Sequence, residues 1–166
     1  MITEQLKQAK EIPVEIVEVV KQSVINTFES IAGEAPTLVF DDTENGPLNG
    51  VIGNIAVFNP EYTFSLMLVI PKDTAIKISE AFLGMELSIE SEDMGDLIAE
   101  LSNILAGEVA ANMETVGFRG QSSLPTATRG SDLRLFMPNK PPSAKLRFEG
   151  NVGDFLLNMA LSESRQ

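Results

Sequence analysis

Two stretches of this chain carry helical periodicity, and each is followed by segments that alternate with period two; this order restricts the folds open to it. Residues 13–32 place Val17, Val20, Val24, Phe28 and Ile31 at helical spacing, after a proline suited to a first turn and before Gly33 and Pro36. Residues 91–116 place Met94, Leu97, Ile98, Leu101, Ile104 and Leu105 on one face in the same way. Between them, "TLVFDD", "VIGNIAVF" and "YTFSLMLVI" read as strands, the last two as a hairpin across "NPE". "KDTAIKISEAFLG" predicts a short helix ended by Gly84. In "FEGNVGDFLLNMALS", Phe155, Leu157, Met159 and Leu161 alternate with Leu156, Asn158, Ala160 and Ser162, which predicts a strand.

The two halves also align. "SIAGEA" at residues 30–35 lies over "ILAGEV" at residues 104–109, which superposes the two long helices, and "YTFSLMLVIP" then corresponds to "GDFLLNMALSE". The expected fold is α+β, with two long helices packed on a largely antiparallel sheet made by two related halves. A chain of 166 residues accommodates one such domain, 1–166, with an ordered core over about 11–162.

Charge and composition exclude several functions. A net charge of −12 repels phosphate backbones, so no nucleic-acid partner is expected. The absence of cysteine and histidine removes thiol nucleophiles, Ser-His-Asp triads and the usual zinc ligands. The longest apolar run, "LMLVI", is far too short for a membrane span, and the N-terminus has charges throughout, so a soluble, cytoplasmic protein without a membrane partner is expected.

Attention then falls on the second long helix, "MGDLIAELSNILAGEVAANM". With Asp96 set to zero, Glu100 projects near about 40°, Asn103 near about −20° and Gly107 near about 20°. They form one narrow ridge, flanked by Ala99, Ala106, Ala110 and Ala111, opposite the apolar face. Glu108 and Asn112 instead project toward the apolar sector, which predicts that the last turns leave the sheet or meet a polar neighbour. A solvated helix face would explain the ridge. Such a face normally pairs Glu with Lys or Arg, yet no basic residue lies between Lys77 and Arg119. The small flanking residues also permit close approach by another protein. An amide and a carboxylate one turn apart can act on a phosphoryl group held by that protein: the amide aims a water in line at phosphorus, and the carboxylate holds a cation of the partner.

"DMGDLIAELSNILAGEVAANM" followed by "SSLPTATRG" resembles the signature of the CheC/CheX/FliY chemotaxis phosphatases, with Asp96, Glu100, Asn103 and Pro125 at the signature positions. The resemblance runs from about residue 13 to 161 and implies a CheC-like fold. It implies a hydrolase that removes the aspartyl phosphate of a CheY-like receiver, with Glu100 engaging a receiver lysine and Asn103 orienting the attacking water. Asp96 and Gly107 fall to support or partner contact, and Pro125 to shaping a turn between strands. No cofactor or metal site of its own is expected; the Mg²⁺ is the receiver's. In the aligned first helix, Gln22, Asn26 and Glu29 exchange amide and carboxylate, so the chain resembles the single-site, CheX-like branch, which implies a homodimer through sheet edges. A non-catalytic receiver-binding or flagellar-switch-like module is the rival reading.

Other motifs have simpler readings. "GPLNGVIGN" lacks the lysine of a phosphate-binding loop and is expected to be a turn-rich loop. Asp41, Asp42 and Glu44 lack EF-hand spacing and read as a solvated turn. "PNKPP" reads as a surface connection, and the dispersed methionines as core filler.

Overall fold

The computed structural model describes residues 2–40, 48–134 and 140–164. A short helix α1 (Ile2–Leu6) precedes the long α2 (Val14–Ala32), then strands β1 (Thr37–Val39), β2 (Leu48–Phe58) and β3 (Tyr62–Pro71). Helices α3 (Lys72–Leu83) and α4 (Glu92–Met113) follow, the latter running into a 3-10 turn (Glu114–Val116). Strands β4 (Gln121–Ser122), β5 (Thr126–Leu133), β6 (Ser143–Gly150) and β7 (Gly153–Glu163) complete the chain. Both expected long helices, the short helix and the β2–β3 hairpin form where periodicity placed them. Gly33 and Gly84 end α2 and α3 in the left-handed conformation, with φ of 81° and 75°.

The sheet is antiparallel throughout, in the order β1-β6-β7-β3-β2, with β4 and β5 both paired to β2. Exchanging β1 with β5, β2 with β6 and β3 with β7 reproduces this order in reverse. The fold is therefore two α-β-β-β halves related by a pseudo-twofold passing between β3 and β7. Each half lends its first strand to the other: β1 pairs with β6, and β5 with β2. The glycines of the aligned "AGE" segments differ in role, however. Gly33 ends its helix, whereas Gly107 lies inside α4, because α4 continues past the aligned position.

Three sequence expectations change. The strand over "FEGNVGDFLLNMALS" is two strands, since Phe148–Gly150 pair with Gly153–Phe155 across a turn at Asn151 and Val152. Within the expected loop "GPLNGVIGN", Leu48–Gly50 extend the strand expected over "VIGNIAVF", because pairing to β3 and β5 satisfies the backbone there. The core also begins earlier than residue 11, since Ile2 and Leu6 are buried; a single helical turn is too short to give a periodic signal. Asp41, Asp42 and Glu44, and Pro138 of "PNKPP", lie outside the described residues.

Helices α2, α3 and α4 pack together, with α3 and α4 seated on the sheet. The core between the layers is anchored by stacked Phe28 and Phe155, whose ring centroids are 4.0 Å apart, and by Phe64 and Phe118 in an edge-to-face pair. No helix of the described residues is long and apolar enough to cross a membrane.

Candidate functional site

Helix α4 is fixed at its start, its middle and its end. Ser91 caps it, its Oγ accepting from the Met94 backbone N–H at 3.2 Å, with Glu92 and Asp93 in the first turn suiting the helix dipole. The Arg129 guanidinium on β5 donates to the carbonyls of Ile89 and Ser91, tying the approach to the sheet. In the middle, Gly53 of β2 lies directly under Ser102: a Cβ there would overlap Ser102 Oγ and lie 3.4 Å from Ile98 Cγ2. The bare glycine therefore lets α4 lie close on the strand.

The seated face comprises Met94, Leu97, Ile98, Leu101, Ser102, Leu105, Ala106, Val109 and Met113. Asp96, Glu100, Asn103 and Gly107 are exposed along the opposite side, as the wheel predicts. Ala106 is not a ridge flank but fully buried, and Ile104 is not in the core but 39% exposed. The whole buried sector is rotated toward Ala106 because α4 rests on β2 through Ser102 rather than through Ile104. Among the described residues, the side chains of Asp96, Glu100 and Asn103 make no hydrogen bond or ion pair, and nothing lies within 4 Å of a Cβ built on Gly107. The ridge is thus a bare surface holding a carboxylate and an amide one turn apart. Pro125 sits half-buried in the corner between β4 and β5, both of which contact α4. Leu124 beside it is 90% exposed.

Glu108 and Asn112 do meet a polar neighbour, and it is α2. Asn26 Nδ2 and Asn112 Nδ2 both donate to Glu108 Oε1, at 3.3 and 3.2 Å, and Asn112 Nδ2 also donates to Ser23 Oγ at 3.0 Å. Gln22, Asn26 and Glu29 are exposed on α2, but Asn26 additionally accepts from Gln22 Nε2 at 2.8 Å. The amide of the first helix is thus occupied within the chain at both ends, whereas Asn103 is not. Sequence reasoning left Glu108 without an assigned partner and overlooked Phe82 and Thr27, which border the same α2–α4 seam; only the crossing of the helices brings them together.

The site is acidic. Between Lys77 and Arg119 the sequence holds nine Asp and Glu and no Lys or Arg, and among the described residues no carboxylate of α4 has an ion-pair partner. Among the described residues no group of three or more acidic side chains is placed to hold a metal ion. The ridge offers an amide for hydrogen bonding and negative charge for a cation.

Comparison with known proteins supports a specific lineage. The chain is similar to the solved chemotaxis protein CheX of Desulfovibrio desulfuricans, with 22% identity and a TM-score of 0.77 over 90% of this chain and 100% of that one. It is similar to CheX of Vibrio vulnificus, with 16% identity and a TM-score of 0.78 over 90% and 100%. A third structure, the CheX-CheY-BeF3-Mg²⁺ complex from Borrelia burgdorferi, matches at 14% identity and a TM-score of 0.74 over 91% and 100%. These likenesses establish the CheC-like fold. No curated protein matches the sequence significantly. A family model described as chemotaxis phosphatase CheX matches residues 51–149, more than half of the chain and the whole of α4 with its ridge, and on that match the chain belongs to the CheX family.

Proposed function

We propose that this chain hydrolyses the aspartyl phosphate of a CheY-like receiver. The observation that carries the proposal is that Glu100 and Asn103, one turn apart on α4, are both exposed and unengaged within the chain. Asn103 enters the receiver's site and holds a water in line with phosphorus, while Glu100 binds a receiver lysine that neutralises phosphate oxygens. The water oxygen bonds to phosphorus as the bond to the aspartyl oxygen breaks, giving inorganic phosphate and free aspartate. A loose transition state needs little proton abstraction, so positioning supplies most of the acceleration.

The catalytic Mg²⁺ is the receiver's, consistent with the metal-containing CheX-CheY complex among the similar structures. There BeF3 stands in for the phosphoryl group. Asp96 and Gly107 contribute partner contact, and Pro125 holds the β4–β5 corner beside α4. Two copies of the chain pair through sheet edges, which β1, β4 and β5 provide in the described sheet.

The test is the decay of a phosphorylated receiver in Mg²⁺, with and without this protein. Acceleration is expected to fall about 100-fold or more in Asn103→Ala while the complex with the BeF3-loaded receiver persists. Unchanged decay across several receivers, or full activity in Asn103→Ala, would refute the proposal; binding without acceleration would favour the non-catalytic module.

A further inference from the structure

A groove of about 510 Å³ runs along the seam of α2, α3 and α4, next to the ridge. Its apolar walls include Ile31, Phe82 and Ile104, and its polar lining includes Asn26, Thr27 and Glu108. Ile104 immediately follows Asn103, and Glu108 lies about 7.5 Å along the helix axis from Asn103, at about 1.5 Å per residue.

One polar group there lacks an answering partner. Glu108 is half-buried, and two amides fix its Oε1, yet Oε2 has no hydrogen bond and the carboxylate no cation among the described residues. A carboxylate oxygen left unanswered beside apolar walls suits a donor brought from outside the chain.

We infer that this groove receives an arginine or lysine side chain of the receiver, its aliphatic stem lying against Phe82, Ile104 and Ile31 and its cationic head donating to Glu108 Oε2. A long cationic side chain is the occupant that suits both walls at once, because its stem is apolar and its head carries several donors. Phe82, 38% exposed, presents a ring for a cation to lie against. The α3–α4 side of the groove carries no basic residue from Ile78 to Phe118, and Lys21 of α2 is paired with Glu18, so the local charge suits a cation. The groove adds affinity and receiver selectivity, not chemistry, and the inference rests on the receiver phosphatase reading.

The test compares initial rates of phosphorylated-receiver hydrolysis over a range of receiver concentrations. Glu108→Gln keeps an oxygen to accept from Asn26 and Asn112 but removes the charge; KM is expected to rise about fivefold with kcat unchanged, and its dependence on salt to flatten. Phe82→Ala removes the exposed apolar wall against which the stem lies and is likewise expected to raise KM with kcat unchanged, its folding checked by urea unfolding. A purely structural role for either residue would not move KM in a variant of undiminished stability. Wild-type KM in both variants overturns the inference and leaves the phosphatase standing. A wild-type protein that accelerates no receiver overturns the phosphatase reading, and the inference with it.

Discussion

Replacing Gly53 by alanine tests whether α4, and with it the ridge, is positioned by a single missing methyl group. The new Cβ would overlap Ser102 Oγ and lie 3.2 Å from Ser102 Cβ and 3.4 Å from Ile98 Cγ2. Neither side can easily retreat. Gly53 is paired on both flanks, to Leu68 and to Ala127, and Ser102 is fully buried with its hydroxyl donating to the Ile98 carbonyl at 2.8 Å. Either that hydroxyl rotates and loses its partner, at about 1–3 kcal/mol, or α4 lifts off β2, at a similar overpacking cost. Removing glycine from a strand returns about 0.5–1 kcal/mol, so the expected net loss is about 1–2 kcal/mol. Urea unfolding followed by far-ultraviolet circular dichroism is the suitable assay, since the chain has no tryptophan. In Gly53→Ala/Ser102→Ala the overlapping oxygen is gone, and the pair is expected to recover about 1 kcal/mol relative to additivity. Asn103 follows Ser102 directly, so a lifted helix should also lower kcat. A Gly53→Ala variant as stable as the wild type, or a strictly additive double mutant, would refute the proposed seat.

Gly107 provides the opposite case: with nothing within 4 Å of an added Cβ, Gly107→Ala is expected to stabilise the free protein by about 0.5–1 kcal/mol in the same urea experiment. If the receiver backbone approaches along the ridge, the same methyl raises KM. Ser91→Ala removes the cap on the Met94 N–H and is expected to cost about 1 kcal/mol, with faster hydrogen exchange in the first turn of α4.

The sequence by itself determined the helices α2, α3 and α4, the β2–β3 hairpin and the ridge, because these depend on spacing within one segment. Helical periodicity placed α2 and α4, glycines marked the ends of α2 and α3, and the four-three-four spacing put Asp96, Glu100, Asn103 and Gly107 in one exposed line. Even the two-halved plan was legible from paired segments. Whatever depends on a neighbour distant in sequence was decided only by the tertiary structure. A helical wheel gives directions from the axis, but where the sheet lies relative to that axis is set by packing; hence Ile104 emerged into a groove and Ala106 was buried. Leu48–Gly50 joined the strand because β3 and β5 supply hydrogen bonds there, and the reason for a glycine at 53 came only from α4 lying over it. Glu108 and Asn112 found their partners only when α2 crossed α4, and that crossing occupies the amide of Asn26 while leaving Asn103 bare. A polar side chain's partner is fixed by three-dimensional proximity, and the one-dimensional pattern carries only its direction.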